Sequence, residues 1–184
     1  MKKILILLLI TSCVIIEQLP EVQYEKLTFG TDSTLEIMTW NIQNFPKSEH
    51  TINYAAKIIN AIDADVIGLQ EIQSDSAFFA LVAQLNEIDK NNWSGYRANT
   101  DKWNMNLAYI YKTDIIKVKK IYEIYDGDYY AFPRRSLVIE FTFNEELFVI
   151  INNHLKAKTG EENRARRIDA CQKLDKFIDK YHTD

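Results

Sequence analysis

Between Leu35 and Ile88 the spacing of apolar residues changes character again and again, and beyond Asn106 it settles. "LEIMTWNI" reads as a strand that ends at Asn41. "INYAAKIINAI" puts Ile52, Ala55, Ile59 and Ile62 at helical spacing. "ADVIGLQEI" is apolar from Val66 to Leu69 and then polar at Gln70 and Glu71, as expected of a short buried strand. "AFFALVAQLNEI" returns to an amphipathic helix. From there "NLAYIY", "IKVKKIYEIY", "SLVIEFTF" and "LFVIIN" are period-two or continuous apolar runs, with Leu137, Ile139, Phe141 and Phe143 on one sheet face. Two strand–helix units followed by a meander predict an α/β fold: a mixed sheet with helices packed against a face. The last segment opens on "TGEE", a capping-box arrangement of Thr159 and Glu162. A helix should follow, with Ala165, Ile168, Cys171, Leu174, Ile178 and Tyr181 on its apolar stripe.

The first residues follow a different logic. Lys2 and Lys3 precede "ILILLLI", which suits a signal-peptide core and is too short to span a bilayer. "ITSC" then resembles a bacterial lipoprotein box, which would make Cys13 the lipidated first residue of an exported, cell-envelope protein anchored to a membrane. The apolar "VII" after Cys13 departs from that pattern and leaves ordinary signal cleavage, with secretion, or an uncleaved anchor as alternatives. The expected division is a signal peptide over 1–12, a tether over 13–33 and a domain over 34–184. With Cys13 used, Cys171 has no disulfide partner and is expected to be a packed thiol.

Three strands end alike. "MTWN" ends on Asn41, "IGLQE" on Glu71 and "IINNH" on Asn153 and His154, while "FPRRS" begins a strand with Arg134 and Arg135. Singly each has a plain explanation: Asn is a common turn residue, and a charged residue at a strand end is usually solvated. Together they sit where α/β architectures gather their sites. Carboxylate and amide oxygens suit magnesium, which is typically held by one or two carboxylates plus phosphate oxygens. Arginine offers paired planar donors to nonbridging oxygens, and histidine can move a proton. There is no serine nucleophile elbow, CxxC pair, HExxH helix or glycine-rich phosphate loop to support another chemistry. A net charge of −4 excludes the global basic footprint of a nucleic-acid packaging protein, though an enzyme needs none.

In order, "TWNIQNF", "DADVIGLQEI", "PRRSLVIEF" and "VIINNHLKAK" followed by "RARR" resemble the endonuclease/exonuclease/phosphatase superfamily, from about residue 35 onward. The resemblance implies a deoxyribonuclease-like, two-sheet, four-layer α/β sandwich. It also implies a magnesium- or manganese-dependent phosphodiester hydrolase, with nucleic acid the commonest substrate class. By motif, Glu71 matches the metal-binding glutamate and Asn41 the asparagine near the metal. Arg134 matches a phosphate-binding arginine, with Arg135 as the alternative register; Asn153 and His154 match the pair at the scissile phosphate. Ser136 stands where the family usually has proline.

The family's later Gly-Asp-x-Asn and Asp-His motifs have no counterpart. Gly127–Asp128 lies too early and reads as a hairpin turn, and His182 and Asp184 stand in the wrong order. The chain is therefore expected to be the first portion of a family domain, impaired as it stands. It should supply one sheet whose inner face, including Ile37, Val66 and Val149, lacks cover and invites self-association. The rival expectation is a non-catalytic exported surface module or gene remnant of the same fold. A third is phosphate recognition by Lys156, Lys158, Arg164, Arg166 and Arg167, a cluster that more often is simply solvated.

Overall fold

The computed structural model describes residues 27–180 apart from 32, 90 and 91. The signal segment, Cys13, most of the tether, His182 and Asp184 lie outside the described residues. The elements run β1 (Ile37–Phe45), α1 (Thr51–Ile62), β2 (Val66–Ile72), α2 (Asp75–Ile88), β3 (Trp93–Arg97) and β4 (Asn106–Lys112). Then follow β5 (Lys117–Ile124), β6 (Ser136–Phe143), β7 (Glu146–Asn152) and α3 (Glu161–Asp179).

The strands form two sheets, ordered β1-β2-β4-β3 and β5-β6-β7. β1 runs parallel to β2, as a strand–helix–strand unit requires, and the other pairings are antiparallel. Alternation along β2 serves two cores. Ile67 and Leu69 face α1 and α2, where Ala55, Ile59, Phe78 and Leu81 cover them. Val66 faces the other way, with Leu107 and Tyr109 of β4, onto Leu137, Ile139 and Phe141 of β6. Burying one such side chain contributes about 1.5–3 kcal/mol, so this second interface is a core in its own right. Tyr109 crosses it, donating its hydroxyl to the carbonyls of Leu137 and Ile150 at 3.0 Å each, and burial pushes its ionisation up.

This corrects the expectation of a single sheet. The chain leaves the first sheet at the short turn between β4 and β5, β5–β7 pair among themselves as a separate sheet, and Val66 is fully buried beneath it. Ile37 and Val149 do sit at an opening: with Leu147, Leu174 and Phe177 they line a cavity of about 720 Å³ beside the edge strands β1 and β7.

Three local expectations also change. β3 was not anticipated; it lies tight against α2, where a Cβ on Gly95 would come within 2.8 Å of Phe78 Cζ. Thr159 does not cap α3: Gly160 holds the N-cap position, at φ 99°, without a side-chain bond. The buried face of α3 is carried by Ala170, Leu174 and Phe177, which turns Cys171 to solvent, so the packed-thiol expectation fails.

Candidate active site

β1 and β2 break their regular geometry side by side. Their register shifts between Asn41 and Phe45, and the β2–β4 register shifts between Leu69 and Ile72. Gln43, Asn44 and Glu71 have left-handed backbones, with φ of 48°, 55° and 67°. The extra residue changes the alternation, so that Leu69 and Ile72, three apart, both enter the helix-side core. Glu71 is thereby released from the core and tipped over the strand ends. A left-handed non-glycine residue costs roughly 1–2 kcal/mol, and such strain is concentrated at functional sites.

The carboxylate is held on both oxygens. Asn41 Nδ2 donates to Glu71 Oε1 at 3.0 Å, and the Asn44 amide donates to Oε2 at 3.1 Å. The Asn41 Oδ1 in turn accepts from the Gln43 amide at 3.0 Å. His154 Nε2 lies 3.6 Å from Glu71 Oε1, both side chains mostly buried. Burial chiefly, then the Arg134 charge, holds the His154 imidazole below its ordinary value, while Glu71 and Asp101 pull the other way.

The tip of β7 explains its asparagines separately. Asn152 is structural: its Nδ2 donates to the carbonyls of Leu69 (2.9 Å) and Ala108 (3.1 Å), and its Oδ1 accepts from Gln70 Nε2 at 2.7 Å. These carbonyls lie where the β2–β4 register breaks, so Asn152 of the second sheet supports the bulge that displays Glu71. Asn153 accepts a short hydrogen bond from the Ser136 hydroxyl, which gives the departure at Ser136 a positive role. Arg135 is committed elsewhere, 2.5 Å from Asp126 and 3.9 Å from Glu123. Arg134 is the arginine that acts on His154.

Asp101 escaped sequence reasoning. It lies in the β3–β4 loop, where its Oδ2 accepts from the amides of Trp103 (3.1 Å) and Met105 (2.6 Å). The loop is anchored by Arg97, which donates to the Ile72 and Gln73 carbonyls and to Asn104 Oδ1 at 2.7 Å. The only available signal was the "TDKWNMN" run ahead of an apolar strand. Among the described residues, the buried side-chain polar atoms without a partner are Asp101 Oδ1, Arg134 Nε and His154 Nδ1. Asp101 and Arg134 both act electrostatically on His154, so the orphaned atoms belong to one locality. Buried polar groups are nearly always satisfied, so an acid, a base and a guanidinium left open together mark a place prepared for a polar ligand.

The donor set fits a hard divalent cation only as a weak, shared site. Among the described residues no group of three His, Cys, Asp or Glu could hold a metal. Glu71 is one well-held carboxylate beside His154, which suits magnesium's habit of taking one or two carboxylates and completing its shell with water and phosphate. Most of the basic cluster is structural. Arg167 donates to the Lys156 and Lys158 carbonyls, Arg166 to those of Tyr129 and Tyr130, and Arg164 pairs with Glu161.

Among solved structures the chain is similar to D. rerio TDP2 complexed with single strand DNA product, at 18% identity and TM-score 0.58, covering 78% of this chain and 56% of that one. It is similar to the human Nocturnin catalytic domain with bound sulfate anion at 20% identity and TM-score 0.57, covering 79% and 60%. TDP2 from C. elegans matches at 20% identity and TM-score 0.57, covering 81% and 42%. The chain thus spans between 42% and 60% of the length of these structures, and the likeness establishes the deoxyribonuclease-like fold. No curated protein matches it. The family model described as "Endonuclease/Exonuclease/phosphatase family" matches residues 38–176, which reach from β1 into α3, and the chain belongs to that family.

Proposed function

We propose that the chain carries the phosphate-binding half of a metal-dependent phosphodiester hydrolase, nuclease-like in its substrate. The observation that carries this reading is the meeting of Glu71 and His154 with the unsatisfied buried atoms of Asp101, Arg134 and His154. Arg134 would bind a nonbridging oxygen. His154, whose imidazole burial and Arg134 hold below its ordinary value, would hold or pass a proton at the scissile phosphate. Asn153, fixed by Ser136, would orient the same group. Glu71 would be the protein carboxylate for magnesium or manganese, held in place by Asn41 and Asn44. A bound ion would offset charge on the phosphate as substitution proceeds. Export and membrane attachment through a lipidated Cys13 belong to the same proposal; no described helix is long and apolar enough to cross a membrane.

The test is phosphodiesterase turnover on single- and double-stranded DNA, RNA, phosphoinositide and phospholipid head groups, with magnesium, manganese and chelator. Metal-dependent cleavage lost in His154→Ala supports the reading. Absence of turnover together with phosphodiester binding that Arg134→Ala and His154→Ala leave unchanged favours the non-catalytic surface module. Fatty-acid labelling abolished by Cys13→Ser supports the anchor, and labelling that survives refutes it.

A further inference from the structure

The two loops that bring Asp101 and Arg134 to the site also carry its most exposed aromatic rings. Trp103 is 64% exposed, and Tyr129 and Tyr130 are 51% each. The loops meet through Lys102, whose Nζ lies 4.6 Å from the Tyr129 ring centroid. The Arg166 guanidinium lies 5.4 Å from the Tyr130 ring and donates to the Tyr129 and Tyr130 carbonyls at 2.9 and 2.7 Å.

Nothing in the fold requires these rings outside, and the backbone beneath them is rigidly built. Tyr125 stacks on Phe132 at 4.1 Å, the Phe132 amide donates to the Asp128 carbonyl, and Lys173 clamps Asp128 at 2.5 Å. On the other loop Asp101 fixes the Trp103 and Met105 amides. Aromatic surface held in place this way binds without a large ordering cost.

We infer that Trp103, Tyr129 and Tyr130, with Lys102 and Arg166, form a stacking platform for unpaired bases of a single-stranded nucleic acid whose backbone enters at Arg134 and His154. Rings with accompanying cations are what sequence-tolerant single-strand binding uses, since every base has a π-face and every linkage a charge. A duplex keeps its bases stacked on one another and offers these rings nothing. A lipid surface fits less well, because the two loops expose no aliphatic side chain for insertion. The inference rests on the hydrolase reading only for the direction in which the strand runs.

The test is fluorescence anisotropy of the full chain in chelator with a labelled twelve-residue oligothymidylate and an abasic strand with the same number of phosphates. Base-containing strand should bind about a hundredfold or more tightly, and Trp103→Ala and Tyr129→Ala should each remove roughly tenfold of that advantage. Trp103→Phe, which keeps a ring, should retain most of it. Equal affinity for the two strands, or an advantage unchanged by Trp103→Ala, overturns the inference. So does a preference for anionic vesicles over the oligonucleotide. Base-dependent binding whose abasic-strand component is unchanged by Arg134→Ala and His154→Ala would refute the hydrolase reading and keep the platform; turnover with binding indifferent to bases would do the reverse.

Discussion

Asn41 hydrogen-bonds Glu71 at 3.0 Å although its partner across the strand pair is Gln70. The bond exists because Glu71 adopts φ 67°, which carries its side chain out of the regular alternation and back toward β1. The carboxylate is therefore displayed at a conformational cost. Glu71→Ala and Glu71→Gly both remove it, but glycine accepts the left-handed backbone freely. Glu71→Gly should be more stable than Glu71→Ala by about 1 kcal/mol, as read from urea midpoints at constant m value. Equal stabilities would mean that the backbone relaxes once the carboxylate is gone.

Metal affinity should be weak and should depend on this one side chain. Calorimetric titration with magnesium or manganese should give measurable binding in the wild type and none in Glu71→Gln. Both proteins binding alike would place the ion elsewhere.

In an active form, His154→Ala should lose ~10²–10⁴-fold in turnover, the usual worth of a positioned proton donor. Arg134→Ala should be more damaging than Arg135→Ala, because Arg135 is spent on Asp126 and Glu123. The reverse ranking would shift the register of the arginine motif by one residue.

Asn152→Ala should destabilise the fold by roughly 2–4 kcal/mol, since it takes a buried donor from the Leu69 and Ala108 carbonyls and leaves the Gln70 amide only Thr39 and the Gly68 carbonyl. Asn153→Ala should cost less than about 1.5 kcal/mol, because it loses mainly the Ser136 bond. Urea denaturation of the two variants distinguishes the structural asparagine from the proposed functional one.

The Lys173 ammonium, hydrogen-bonded to Asp128, holds that carboxyl below its ordinary value, and Asp128 with Asp169 raises Lys173. A depressed carboxyl contributes stability above its unfolded pKa near 3.9 and loses it as pH falls through the lower folded value. Lys173 contributes below its unfolded value near 10.4 and loses that contribution as pH rises through the raised one. Asp128→Asn should therefore cost up to about 1 kcal/mol near neutral pH, with the difference from wild type vanishing in acid. A difference independent of pH would assign the effect to packing.

Elements whose apolar residues face another apolar surface were legible in the sequence; those held by polar contacts were not. β2, β4 and β6 are strongly apolar runs and were plain. β3 reads "WSGYR" and is a strand because Gly95 lets it approach α2 and Arg97 binds carbonyls at the end of β2, neither of which has a period. On α3 the 3.6-residue stripe through Ile168 and Cys171 misled. The face turned inward includes Arg166, Arg167 and Lys173, which bind loop carbonyls and Asp128, and hydropathy scores these as outward. The strand-end set was visible because its residues follow apolar runs. Asp101 was not, because a loop aspartate looks like any other until the fold brings it to His154.

Among the described residues β1 pairs only with β2 and β7 only with β6, and Ile37 and Ile150 line the same cavity between them. Both sheets thus end on one flank. In hydrogen-exchange experiments that flank should be the soft side of the molecule: alternate amides of each edge strand have no ladder partner there and should exchange quickly. The amides of β2, β4 and β6, bonded on both sides, should exchange only when the whole domain opens. Protection will then grade across each sheet, and the slope of that gradient gives the direction from which the domain comes apart.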